Sequence, residues 1–189
     1  LRVEGSLDAV RAAGFAFDRT EVRATYMRGV GEVAVTLYPG DSATYRLEAD
    51  YALRTGEGEI HLRDLALEMD AADWRASYPA TVSWRGPHLQ VDSLELRDAT
   101  RGGRIFVRGD VPETGAIALE LAFEGVRIAP WIAITQGDLD ADGVMGGRLT
   151  MAGTRESPQL DGRATLTAGR VEGALVPDAS ATFRYADRE

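Results

Sequence analysis

The sequence predicts an all-β protein: one continuous unit of about a dozen short strands, with at most one or two short helices. Three observations carry that expectation. Apolar residues recur with a period of two in segment after segment, the spacing that lines one side of a strand. Turn signals separate these segments, at Pro39-Gly40-Asp41, Gly56-Glu57-Gly58, Gly86-Pro87, Gly102-Gly103, Gly146-Gly147, Ser157-Pro158 and Val176-Pro177-Asp178. One strand pattern returns three times, starting at Ile60, Leu89 and Leu121, which lie 29 and 32 residues apart.

Along the chain, "LRVEGSLDAV" opens strand-like and charged, while "SLDAVRAAGF" carries one helical signal. Ser6 stands as a helix N-cap, Leu7, Val10 and Ala13 at helical spacing, and Gly14 as a stop, so one short helix is expected there. Val33, Val35 and Leu37 resume alternation. In "TYRLEADYALR" Tyr45, Leu47, Ala49, Tyr51 and Leu53 share one face, and Arg46, Glu48, Asp50 and Arg54 the other. The next strand places Ile60, Leu62, Leu65 and Leu67, and a later one Leu89, Val91, Leu94 and Leu96. Ile105 and Val107 follow, then Ile117, Leu119, Leu121 and Phe123, the last two leading on to Val126 and Ile128. The recurring pattern is apolar-x-apolar, two residues, apolar-x-apolar. Its two-residue step reverses the phase, so each such strand must bulge or bend to keep one apolar side. "VRIAPWIAITQG" holds either a helical turn after Pro130 or a loop with Trp131 tucked in, and a soft seam is expected near 130–142. Leu149 and Met151 resume the alternation.

Composition narrows the function classes. Apolar residues make up 44%, enough for a core. Thirty acidic against 21 basic residues give a net charge of −9, which argues against nucleic acid and against simple docking on anionic lipid heads. Every basic residue is Arg, a bias of composition rather than of chemistry. Without Cys there is neither a disulfide framework nor a thiolate metal site. No apolar run approaches the roughly 20 residues of a membrane span.

No motif carries catalysis, and neither cofactor nor metal is expected. "DLDADG", Asp138 to Gly143, copies the opening of a calcium loop, but the twelfth position, where a bidentate carboxylate is needed, is Leu149. It reads as an acidic turn. His61 and His88 are the only histidines, and neither has metal-ligand spacing. There is no nucleophile elbow and no phosphate-binding glycine loop. Trp74, Trp84 and Trp131 read as packing residues or strand-edge anchors. Something must cover the apolar side of such strands: a second sheet, closure into a barrel, or an apolar guest in a curled sheet.

The stretch from Gly147 to Gly153-Thr154, then Pro158, Leu160-Asp-Gly162 and "RATLTAGRV", resembles the strand repeat of the TamB family of AsmA-like envelope proteins. "GAIALELAFEGVRIAPWIAITQGDLDADGVMGG" resembles the strand pair leading into it. "DWRASYPATVSWRGPHLQVDSLELRDATRGGRIFVRGDV" is similar too, with Trp74, Pro79 and Gly109 at familiar places. The likeness covers roughly residues 58–175. It implies a curled, elongated antiparallel-type trough, or β-taco, in a protein anchored in the inner membrane and crossing the periplasm. It implies movement of phospholipid between the membranes. It implies support of outer-membrane protein assembly with a partner barrel of the BamA/TamA type. It brings no catalytic residues. The chain is then expected to be a non-enzymatic middle segment of a longer, periplasmic protein. Acyl chains are expected to meet Leu47, Tyr51, Leu53, Ile60, Leu62, Leu65, Leu67, Leu89, Val91, Leu94, Leu96, Ile105, Val107, Leu119, Leu121 and Phe123. The rival expectations are a chaperone-like scaffold that pairs with nascent outer-membrane strands, and an extracellular β-sandwich that binds glycans or proteins.

Overall fold

A computed structural model describes residues 1–12, 15–41, 43–136 and 139–186. The all-β expectation holds: the described residues form one open antiparallel sheet of 14 strands and a single short helix. The strands are β1 (Arg2–Ala12), β2 (Phe15–Met27), β3 (Val30–Tyr38), β4 (Thr44–Arg54), β5 (Glu57–Met69), β6 (Ala72–Ala76) and β7 (Ala80–Arg85). They continue with β8 (His88–Asp98), β9 (Arg104–Val111), β10 (Ala118–Arg127), β11 (Ala141–Gly153), β12 (Pro158–Val171), β13 (Ala174–Val176) and β14 (Ala179–Ala186). Helix α1 (Ala129–Gln136) lies between β10 and β11.

Successive strands pair with one another, so the sheet is a meander whose rungs follow chain order. Fourteen strands make only twelve rungs, because two rungs are split. β6 and β7 lie end to end between β5 and β8. The break falls at Ser77-Tyr78-Pro79, where Pro79 has no N–H to give to a ladder. Ser77 is tied instead to β8: its N–H donates to the Glu95 carbonyl at 2.9 Å and its hydroxyl to the Glu95 carboxylate at 3.0 Å. β13 and β14 likewise share β12, with Pro177-Asp178 between them. At about 4.8 Å per rung, the sheet runs roughly 50 Å across its strands.

The phase reversals are bulges. In β5 the register with β4 shifts between Leu62 and Asp64, leaving Arg63 as the extra residue. In β8 it shifts between Val91 and Leu94, and in β10 between Phe123 and Val126. Gly125 takes φ +60 there, a conformation that side chains resist. A fourth bulge lies in β12, where Ala168 stands at φ 51 and Asp178 accepts its N–H at 3.0 Å.

The helix expected over 6–14 is not formed. Those of its residues that are described belong to β1, which pairs with β2 from Arg2 to Ala12. Ser6 caps nothing; its hydroxyl accepts from Arg19 Nε at 3.2 Å. A full ladder of backbone bonds outweighs the weak pull of one cap residue and three spaced apolar ones. Ala13 and Gly14 lie outside the described residues. After Pro130 the helical alternative is the one formed, as α1.

Candidate functional site

Registers across the sheet bring the sixteen expected residues to one face. Leu47 stands opposite Leu65, and Tyr51 opposite Ile60. Ile60 meets Val82, which meets Val91. Leu94 stands opposite Val107 and Leu96 opposite Ile105. Val107 faces Leu121, and Ile105 faces Phe123. Leu53, Leu62, Leu67, Leu89 and Leu119 fall in the same rows. Each bulge switches phase so that the far half of its strand stays on this side.

The face is wider than those residues. It continues through Val33, Val35 and Leu37 to Val22 and Ala24, and then to Val3 and Leu7. At the other end it passes through Leu149 and Met151 to Leu160, and then to Phe183 and Tyr185. Alternation in β2 and β14 carries the same signal as the strands already recognised. Burial is deepest at mid-sheet, where Ala49, Leu62 and Ala80 form one cluster and Ala72, Trp74, Leu96 and Val126 another. Toward the ends exposure rises, to 59% at Leu7 and 51% at Tyr185.

No second layer lies on this face among the described residues. Every pair of elements in extensive contact is a hydrogen-bonded strand pair, apart from α1 against β11. Trp131 of α1 packs on the mid-sheet cluster, its ring edge-on to Trp74 at 5.7 Å. The chain exposes 12064 Å². A compact monomer of 20.4 kDa exposes about 8,800 Å², so the excess belongs to an extended sheet open on both faces.

Large rings on this face are laid down on glycines of the neighbouring strand. Tyr51 lies opposite Gly31, Trp84 opposite Gly58, Phe123 opposite Gly147 and Phe183 opposite Gly162. A Cβ on Gly31, Gly58, Gly147 or Gly162 would sit 2.2–2.6 Å from an atom of the facing ring side chain. At Gly58 and Gly162 the ring itself fills the place of the missing side chain; at Gly31 and Gly147 a backbone carbonyl, of Thr25 and of Arg163, crowds that place as well. Tyr51 reaches across β3 to donate its hydroxyl to the Thr25 carbonyl at 2.6 Å. The rings lie along the sheet instead of standing off it, which keeps the apolar floor low.

The opposite face is a ladder of paired charges. Glu4 meets Arg23 at 3.0 Å, Glu68 meets Arg46 and Arg75 at 2.5 and 3.0 Å, and Glu120 meets Arg148 at 2.5 Å. Asp161 meets Arg184 at 2.9 Å. Glu95 is the buried member. Burial alone would raise its pKa, but bonds from Arg104, Arg97 and Ser77 outweigh that and hold it below the ordinary 4.5. Asp142, of the acidic turn, is paired with Arg127, whose bond lowers its pKa despite partial burial. Leu149, at the twelfth position of that motif, points to the apolar face opposite Leu121. Asp138 lies outside the described residues.

His61 sits on the polar face, 3.2 Å from Thr81 Oγ1 and opposite Asp50. His88 contacts Asp110 at 2.5 Å. The described residues contain no group of three His, Asp or Glu side chains placed to hold a metal. A depression of about 730 Å³ near Thr25, Glu32, Asp50 and His61 is lined largely by the polar face. Comparison with known proteins finds no matching family model, no matching curated protein and no matching solved structure.

Proposed function

We propose that this chain is a non-catalytic trough segment of a TamB-like, periplasm-spanning protein, and that its apolar face carries phospholipid acyl chains between the inner and outer membranes. In the same reading the full-length protein is anchored in the inner membrane and supports outer-membrane assembly with a barrel of the BamA/TamA type. One observation supports the reading: an apolar face that runs over twelve rungs and, among the described residues, carries no second sheet and only Trp131 of α1 at its middle. Burial is worth about 25 cal/mol per Å² of apolar area. An acyl chain on such a floor gains a little at each rung and is held strongly at none, which favours sliding. The lowered rings remove steps that would stop it.

The test uses vesicles of phosphatidylethanolamine and phosphatidylglycerol that carry a photoactivatable diazirine on one acyl chain. After illumination, adducts are mapped by mass spectrometry. The expected adducts fall on β5, β9 and β10, at apolar-face residues such as Leu65, Val107 and Leu121. Labelling confined to the polar face, or no greater than that of heat-denatured protein, overturns the reading. Adducts to a co-incubated outer-membrane strand peptide in place of lipid favour the scaffold alternative.

A further inference from the structure

Arg155 stands in the turn between β11 and β12, yet its guanidinium serves other turns. Its Nε donates to the Pro112 carbonyl at 2.8 Å. Its Nη2 donates to the Val111 carbonyl at 3.1 Å and to the carbonyl of Pro87. Val111 ends β9 with Pro112 next to it, and Pro87 lies in the turn between β7 and β8. One side chain thus joins three strand ends that lie 43 to 68 residues away in sequence. A guanidinium suits the task, because its N–H groups are fixed in a planar fork and can meet several carbonyl oxygens at once.

The spacing of the rungs makes this contact informative. In a flat meander the β7–β8 and β11–β12 turns stand four rung spacings apart, about 19 Å. That is farther than one arginine side chain reaches. Nor does the turn that carries Arg155 sprawl across the gap, for it is closed on itself. The Thr154 N–H donates to the Ser157 carbonyl at 3.2 Å, and the Ser157 N–H to Thr154 Oγ1 at 3.2 Å. The strand ends from β8 to β11 are therefore drawn together, which bends the sheet.

A second tie crosses the same rungs at the other end of the strands. Trp74 of β6 lays its ring against Gly103, at the entry to β9, where a Cβ would sit 2.8 Å from Cη2. Trp131 of α1, beyond β10, meets that ring edge-on. The two indoles bridge β6 to the segment after β10, with β8 and β9 between them. They lie on the apolar face with Leu96 and Val126, so this tie gives the bend its sense, toward that face.

We propose that Arg155 is a clasp that holds the sheet curled toward its apolar face from β8 to β11, with Trp131 on Trp74 as its counterpart at the opposite strand ends. Together they set the width of the trough at mid-sheet. The curl belongs to the sheet without lipid, so it stands or falls separately from acyl-chain carriage.

The chain has no Cys, so Leu53→Cys and Tyr185→Cys supply one pair of spin labels. Both positions are exposed on the apolar face, at 42% and 51%, on rungs to either side of the bend. Bending toward that face brings them together, and flattening parts them toward the roughly 38 Å of eight rung spacings. Double electron–electron resonance on the doubly labelled chain is expected to give one narrow distance. Arg155→Ala should broaden it and lengthen it by at least one rung spacing, about 5 Å. Arg155→Lys keeps the charge but not the fork, and its distance should fall between those two. Trp131→Ala should also lengthen the distance, and both changes together more than either alone. Circular dichroism checks that each variant keeps its sheet; the milder lysine variant keeps the test decisive if the alanine variant does not. A distance unchanged by Arg155→Ala, or by Arg155→Lys where only that variant folds, overturns the proposal.

Discussion

Gly58→Ala and Gly5→Ala are the same substitution on the same face of the same sheet, and they are expected to act in opposite directions. Neither glycine has a positive φ, so alanine fits the backbone at both. Alanine loses less chain entropy on folding than glycine, which favours either substitution by about 0.4–1 kcal/mol. At Gly5 nothing opposes that gain, because the new methyl group enters open space. At Gly58 the Cβ would lie 2.2 Å from Cζ2 of Trp84 and 2.7 Å from Cε2. Trp84 must then lift off the strand, at the roughly 1–3 kcal/mol typical of overpacking. The net expectation is a loss of about 1–2 kcal/mol for Gly58→Ala and a gain below about 1 kcal/mol for Gly5→Ala. For a chain of this size each kcal/mol moves Tm by roughly 2–4 °C. Guanidinium unfolding followed by tryptophan fluorescence reads both. Trp84→Leu, combined with Gly58→Ala in a double-mutant cycle, should remove most of the penalty. If Gly58→Ala is as benign as Gly5→Ala, the rings do not rest on their glycines and the lowered floor is wrong.

Two further outcomes follow from the polar groups. Glu95, depressed below 4.5 in the fold, contributes stability that is fully present above that value and is lost as pH falls through its folded pKa. Glu95→Gln should cost about 1–2 kcal/mol at neutral pH, toward the low end because Arg97 is 61% exposed, and its deficit should shrink below pH 4.5; urea unfolding at stepped pH checks it. Tyr51→Phe keeps the ring over Gly31 but deletes the 2.6 Å bond to the Thr25 carbonyl, so a loss of about 1 kcal/mol is expected in the same assay.

Much of this fold was legible because period-two alternation is a local signal that burial enforces strand by strand. Leu47, Leu65, Leu94 and Leu121 fall on one face for that reason alone. The bulges were legible too, since the reversal at Leu62–Leu65 leaves no other way to keep both halves inward. Other features were hidden in long-range register. Nothing local says that β6 and β7 share one rung, since that depends on the length of β5 beside them. Nor does a glycine announce that a tryptophan 26 residues later will lie on it, as Trp84 does on Gly58. The helix expected over 6–14 failed where a few correctly spaced residues had to compete with ten paired ones.

The bulges also reveal the unit of construction. They occur in β5, β8, β10 and β12, which are alternate rungs of the sheet and so run in the same direction. The recurrence near 30 residues is thus one hairpin, two rungs with a bulge in the first. Because the bulged strands are parallel to one another, the extra twist that each adds has the same sense and accumulates. A one-residue deletion at the bulge should therefore be tolerated where the same deletion in a regular strand would not. Removing Arg63 makes Leu62 and Asp64 consecutive opposite Ala49 and Glu48, so alternation runs on without a bulge and Leu65 and Leu67 keep the apolar face. The variant loses the twist of that bulge and the exposed 3.1 Å pair with Asp50, and it should still fold cooperatively. Deleting Arg46 from β4, which has no extra residue to give up, would turn half of that strand over and bring either Leu47 or Tyr45 to the charged face, at about 1.5–3 kcal/mol for each large apolar side chain that leaves the interior. Arg63→Ala, which keeps the residue count and loses only the pair with Asp50, should fall within about 1 kcal/mol of the parent. An Arg63 deletion that fails to fold in urea unfolding followed by circular dichroism would show that the facing of β5 depends on the bulge and not on the alternation either side of it.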